Sequence, residues 1–522
     1  MESLTVGDLY DRCTDFYEER VALQHNGEQF TFQEIGLKTL CLGEALRKLG
    51  LKKGDKAAFL MQNCPEYIFC EYALAKMGVV RVPLAVLLGS DAHIYMMNHA
   101  ECTTLIYHEK MTDRVLEMIP SLETVRHFIC VSKDSGAVPT GHMHLQSLIA
   151  DSKPVPFNEK VQPEDLCGIY YTGGTTGLPK GVMLSHRSWV FTYLLEMLEL
   201  GLEAEEKFAF VTPLTHGAGC LIMPVLLRRG ICVIVDHFEP EYFLKMVEQE
   251  KITSTFIVPT MIYAMLDCPN RDKYDLSSLR NVVYGAAAIA PDRLKAAVET
   301  FGPIFTQLYG QTEAPMMISV LPRDEHLIAD PEKEKRVFGS CGRPNILCEV
   351  KIESEGKEVE RGSIGEIAAR CPNLMDGYLK NPEATAETIK EGWLYTGDLG
   401  RLDKDGYLFI LDRSKDMIVS GGFNIYPKEI EDLLFEHQAV KNVAVVGVPD
   451  DKWGEAVKAI VVLKNPGEAS SEELIAFVKE RKGSLVAPKS VDFWPEIPLT
   501  NLGKIDKKRI RNEYWKDHDR RV

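Results

Sequence analysis

The sequence predicts an α/β protein with a large N-terminal domain over residues 1–412 and a small α+β C-terminal domain over residues 413–522. Three observations lead there. Short β-branched runs alternate with longer amphipathic stretches over roughly the first 340 residues, the pattern of βαβ units around mixed, largely parallel sheets. From about Gly339 the texture changes to short alternating segments punctuated by glycine and proline, which predicts a β-rich subdomain over about 339–412. A charged break, Asp412-Arg413-Ser414-Lys415-Asp416, then precedes a fresh mixture of helix and strand.

The elements follow in order. Lys56–Met61, Gly168–Tyr171 and Ile231–Asp236 read as strands, while Cys70–Met77 and Glu241–Glu250 carry apolar residues at helical spacing. In the β-rich stretch, Cys348–Ile352 and Gly365–Arg370 alternate as strands do. Leu402–Gly406 reads as a hairpin turn, because its acidic residues fall short of a calcium loop and lack the distal glutamate. Beyond the break, Glu429–His437 and Glu472–Glu480 read as helices, and Val443–Gly447 and Ala459–Leu463 as strands.

The chain's 522 residues exceed what one core usually organises. A formal charge of −16 argues against a general nucleic-acid binder, which must neutralise phosphates with a basic face. The first residues lack a basic segment followed by an apolar run, and Cys220–Leu227 breaks at Arg228-Arg229, so neither a secretory leader nor a membrane span is expected. Thirteen scattered cysteines without a C-x-x-C pair predict reduced thiols, a cytoplasmic location and no cysteine-rich metal site.

The strongest chemical signal is Tyr171-Thr-Gly-Gly-Thr-Thr-Gly-Leu-Pro-Lys-Gly181, directly after a predicted strand. Glycines let backbone approach phosphate oxygens, and threonine hydroxyls and a lysine donate to them. The string is not a Walker A loop, which needs Gly-Lys-Ser/Thr after a four-residue gap.

This string resembles the phosphate loop of the adenylate-forming family of acyl-CoA synthetases, luciferases and peptide-synthetase adenylation domains, and the motif order matches over nearly the whole chain. The resemblance implies that Thr172, Gly173, Gly174, Thr175, Thr176, Gly177 and Lys180 bind ATP phosphates. Pro213-Leu-Thr-His-Gly-Ala-Gly219 resembles the segment whose histidine, here His216, lies beside the acyl pocket. Gly285, Ala286 and Ala287 match backbone that lines adenine. In Tyr309-Gly310-Gln311-Thr312-Glu313 the tyrosine stacks on adenine, the threonine meets the α-phosphate and the glutamate, with Thr172, holds Mg²⁺. Asp398 and Arg413 match the pair that takes the ribose hydroxyls. Gly421, Gly422 and Phe423 match the turn lining the pantetheine tunnel of coenzyme A, Lys415 the hinge, and Lys504 the catalytic lysine.

The chemistry implied is attack of a carboxylate on the α-phosphorus of ATP, then attack of the CoA thiol on the acyl-adenylate. The small domain is implied to be mobile: it rotates about Lys415, presenting Lys504 for the first step and the Gly421-Gly422 turn for the second. Gly174 departs from the serine of many relatives. Small residues 217–219 beside His216 predict an open acyl pocket and a medium- or long-chain apolar acid. An aromatic acid is the alternative. A carnitine-type acid is a further one, since Asn63–Phe69 is similar to crotonobetaine/carnitine-CoA ligases as well as fatty-acyl ones. Loading of a carrier protein is another, and a homodimer is an open expectation.

Overall fold

The computed structural model describes residues 3–172, 178–413, 416–450, 452–500 and 505–516. Two large mixed sheets organise the first part of the chain. In the eight-stranded sheet, Leu166–Thr172, Val80–Pro83, Lys56–Leu60, Thr104–His108 and His127–Val131 run parallel in that order. Antiparallel Lys180–Ser185 and Gly377–Tyr378 finish one edge. In the nine-stranded sheet, Ile231–Ile234, Lys207–Phe210, Ser254–Ile257, Asn281–Tyr284 and Phe305–Gln311 run parallel, and Ala314–Leu321 turns back against the last of them.

The helix expected from Cys70 begins earlier, at Pro65, whose missing N–H is harmless in a first turn. It ends at Gly78, which adopts a left-handed φ of 66°. Nearly every residue of Pro65–Met77 is buried in the core that also takes in Phe59, Phe208 and Trp189. A helix covered on all sides needs apolar residues all round, which blurs the helical period.

The β-rich subdomain is a six-stranded antiparallel sheet including Glu349–Ser354, Gly365–Arg370, Trp393–Leu402 and Leu408–Arg413. The hairpin expected near Leu402–Gly406 is present. Asp403 Oδ1 accepts from the N–H groups of Asp405 and Tyr407, both at 2.9 Å, which closes the turn, while its Oδ2 pairs with Arg336. Two expectations change here. Asp412 and Arg413 are the last residues of a strand rather than part of a charged break. Cys348 and Cys371 are bonded, against the expectation of thiols throughout, because the register that pairs Glu349 with Arg370 sets them opposite one another, Cα atoms 4.5 Å apart. The other eleven cysteines are free.

Beyond residue 416 a five-stranded sheet carries the helices Pro427–Phe435, Ser471–Lys482 and Lys507–Tyr514. Lys507 meets Glu431 at 2.9 Å and Asp412 at 3.5 Å, tying the last helix to the end of the β-rich sheet. Burial alone would lower the Lys507 pKa. Asp412 and Glu431 outweigh it and hold the ammonium charged.

Candidate active site

The strands on either side of the phosphate string are antiparallel partners. Leu166–Thr172 pairs with Lys180–Ser185 up to Tyr171↔Gly181 and Thr172↔Lys180. Thr172 and Lys180 therefore face each other at the end of this pairing, with the Thr172 hydroxyl 3.5 Å from the Lys180 carbonyl oxygen. Gly173, Gly174, Thr175, Thr176 and Gly177 lie outside the described residues. The Lys180 ammonium sits 4.1 Å from the ring centroid of Tyr378, a residue the sequence reading did not single out. Tyr378 in turn donates its hydroxyl to Glu313 Oε1 at 2.7 Å.

Glu313 and Thr312 occupy a tight turn: Gln311 pairs with Ala314, leaving only these two residues between the strands. Gly310 precedes them because the chain doubles back closely. A Cβ there would lie 2.5 Å from the backbone carbon of Met316, which itself holds a φ of 63°. Four carbonyls along the turn and the returning strand are gripped from outside. Glu313 O accepts from Met375 N at 2.9 Å and Pro315 O from Asn373 Nδ2 at 2.9 Å. Met317 O accepts from Asn345 Nδ2 at 2.5 Å and Ile318 O from Asn345 N at 3.1 Å. The bonded pair Cys348–Cys371 ties together the two segments that supply these donors.

Asp398 and Arg413, the two residues expected at a ribose, are in direct contact. They are cross-strand partners, and Arg413 Nε lies 2.6 Å from Asp398 Oδ1. The other oxygen, Oδ2, accepts from the Tyr309 hydroxyl at 2.7 Å and Gln311 Nε2 at 2.8 Å. Asp398 is only 4% exposed, so these donors hold an almost buried carboxylate in one orientation. The Tyr309 ring packs with Ala314, Ile318 and Cys341, and its hydroxyl pKa is raised by burial and then by the Asp398 charge. Its visible work here is to orient Asp398. Gly285 lies alongside Leu308, whose carbonyl oxygen would be 2.7 Å from a Cβ; Ala286, exposed, and Ala287, half-buried, follow it.

His216 precedes the short helix Gly217–Cys220 and is half-buried. The open pocket expected there is a correction. A Cβ on Gly217 would touch Phe256 at 3.4 Å and Met316 at 3.5 Å, one on Gly219 would fall 2.1 Å from Leu214 O, and Ala218 is buried. Gly219 is small because the Leu214 carbonyl already fills the space, whereas a Cβ on Gly217 would sit at ordinary contact distance, so the smallness of the segment does not by itself mark an open pocket.

Gly421 and Gly422 form a two-residue turn between Ile418–Ser420 and Phe423–Ile425, with left-handed φ values of 58° and 84°. A Cβ on Gly421 would meet the Trp453 ring at 2.4 Å, and Phe423 is 56% exposed. Lys415 and Lys504 lie outside the described residues. Among the described residues no cluster of three or more His, Cys, Asp or Glu could hold a metal. A single carboxylate, Glu313, linked through Tyr378 to Lys180, would suit Mg²⁺, which keeps waters rather than needing a protein cage.

Comparison with known proteins shows the family. Residues 10–379 match the model of the AMP-binding enzyme family and residues 429–504 that of the AMP-binding enzyme C-terminal domain. The chain is 40% identical over 490 residues to the medium/long-chain-fatty-acid–CoA ligase FadD8 of Mycobacterium tuberculosis, covering 92% of this chain and 85% of that one. It is 36% identical over 496 residues to feruloyl-CoA synthase of an Amycolatopsis species, covering 94% and 96%. The solved amide bond synthetase McbA of Marinactinospora thermotolerans superposes with a TM-score of 0.89 at 30% identity, covering 97% of this chain and 99% of that one. The chain belongs to the AMP-binding enzyme family of adenylate-forming acyl-CoA ligases.

Proposed function

We propose that the protein converts an apolar carboxylic acid, ATP and coenzyme A to acyl-CoA, AMP and pyrophosphate through an acyl-adenylate. A carboxylate oxygen bonds to the α-phosphorus as the bond to pyrophosphate breaks. The CoA thiol then loses its proton, its sulfur bonds to the acyl carbon, and AMP departs. The observation that carries the reading is one hairpin with two ends. Gln311 and Tyr309 orient Asp398 for a ribose, while Glu313, two residues past Gln311, stands with Lys180 where phosphates would lie.

Asp398 would accept both ribose hydroxyls, with Arg413 sharing them. Magnesium held by Glu313 and the Thr172 hydroxyl would neutralise charge on the phosphates. Lys180, Thr312 and the 173–177 loop would bind phosphate oxygens, with Gly285–Ala287 along the adenine. Lys504 would supply a cation to the first transition state, and the Gly421–Phe423 turn would guide pantetheine in the second, the small domain, residues 413–522, turning about Lys415 between them. His216 would border the acid. A homodimer in the cytoplasm completes the proposal; no described helix is long and apolar enough to cross a membrane.

The mycobacterial relative's name favours a medium- or long-chain fatty acid. Feruloyl-CoA synthase favours an aromatic acid as the second reading, to which Phe256 beside Gly217 adds a flat apolar surface. Pyrophosphate release across a panel of fatty, aromatic and carnitine-type acids, with and without CoA, decides between them. Turnover confined to short charged acids overturns both.

A further inference from the structure

We infer that Tyr378 is a positioning residue for adenylation: its hydroxyl fixes the Glu313 carboxylate while its ring seats Lys180. The inference rests on the adenylating function proposed above. Tyr378 lies 65 residues from Glu313 in sequence, yet donates to its Oε1 at 2.7 Å. That bond leaves Glu313 Oε2 with a defined direction for a cation. The same ring carries the Lys180 ammonium 4.1 Å from its centroid.

Tyr378 is itself held against both partners. Its strand pairs Gly377 with Met183 and Tyr378 with Val182, on the arm of the phosphate hairpin that starts at Lys180. Leu379 N donates to Gly181 O at 2.8 Å and Asp376 N to Met183 O at 2.9 Å. Three residues before Tyr378, Met375 N donates to Glu313 O at 2.9 Å. The backbone of Tyr378 accepts a further clamp, donating its N–H to Thr385 Oγ1 at 2.9 Å. One segment thus bridges the turn that carries Glu313 and the hairpin that carries Lys180. Its only side chain shown to touch both is a tyrosine that is 4% exposed. A phenylalanine would fill the same volume and keep the face over Lys180 while losing the bond to Glu313.

The test is a double-mutant cycle on the full chain. Tyr378→Phe is measured in the wild-type and Glu313→Gln backgrounds by Mn²⁺ binding, followed by electron paramagnetic resonance in the presence of a non-hydrolysable ATP analogue. KM for ATP and kcat for pyrophosphate release are read alongside. In the wild-type background Tyr378→Phe should weaken Mn²⁺ binding about tenfold, the order expected for losing one hydrogen bond to a charged group. In the Glu313→Gln background it should change binding by less than about twofold, because the group it acts through has gone. Tyr378→Leu should additionally raise KM for ATP as Lys180 loses its seat. Equal effects in both backgrounds, or none in either, overturn the inference. Failure of the wild type to release pyrophosphate with any acid counts against adenylation instead, and the Mn²⁺ cycle still judges Tyr378.

Discussion

The two ends of the Tyr309–Glu313 hairpin are built to different standards of completion. At the end proposed for the ribose, Asp398 is nearly buried and both its oxygens are taken by Arg413, Tyr309 and Gln311. At the end proposed for the phosphates, Glu313 has one oxygen engaged by Tyr378, and among the described residues Lys180 meets an aromatic face rather than a carboxylate. A neutral sugar brings no charge, so its acceptor can be finished by the fold. A triphosphate brings its own charge, so cations aimed at it serve best when the protein has not neutralised them. Substitutions at the first end should therefore damage the fold, and at the second the rate.

Asp398→Ala puts the first half at risk. It takes the Asp398 acceptor from the buried Tyr309 hydroxyl, a loss of about 1–3 kcal/mol, while Arg413, half exposed, can turn to water. Denaturant unfolding should show this loss together with loss of ATP use; unchanged stability would break the comparison. Lys504→Ala should slow pyrophosphate release by about 10²–10³, or roughly 2.7–4 kcal/mol, for one lost cation aimed at developing charge. Thioester formation from supplied acyl-AMP and CoA should stay within about tenfold, since a contact absent from a transition state contributes nothing to it. Equal losses in both rates would remove the two-conformation reading.

Lys180→Ala should lower kcat/KM for ATP by about ten- to hundredfold, the scale of a charge-assisted hydrogen bond, with stability within about 0.5 kcal/mol of wild type. A large fall in Tm would mean that Lys180 is structural after all. Gly421→Ala is the mildest. Its left-handed φ penalises a Cβ by about 1–2 kcal/mol, and the Trp453 ring stands in the way. Thioester formation should slow while adenylation persists. The reverse pattern would detach this turn from the second step.

The sequence carried the skeleton because local chemistry sets it. Asp398 and Arg413 could be paired as ligands from their motifs, and the structure adds that they are cross-strand neighbours. The glycines at 421 and 422 announced a tight turn that is present. What stayed hidden depends on contacts distant in sequence. Tyr378 is one tyrosine among nineteen until the strand pairing sets it against Glu313 and Lys180. The Cys348–Cys371 bond follows from register, which cysteine spacing does not reveal. Gly219 misled because smallness reads equally as empty space or as close approach, and the Leu214 carbonyl makes it the latter.

The central claim, that Glu313, Lys180 and Asp398 assemble ATP for attack at its α-phosphorus, is tested most directly by following oxygen. A fatty or aromatic acid labelled with heavy oxygen in its carboxyl group is incubated with the protein, ATP, Mg²⁺ and CoA, and the products are weighed by mass spectrometry. The account expects one heavy oxygen in AMP, none in pyrophosphate and an acyl-CoA retaining the other. Heavy oxygen in inorganic phosphate with ADP as the nucleotide product would place the attack at the γ-phosphorus and contradict it.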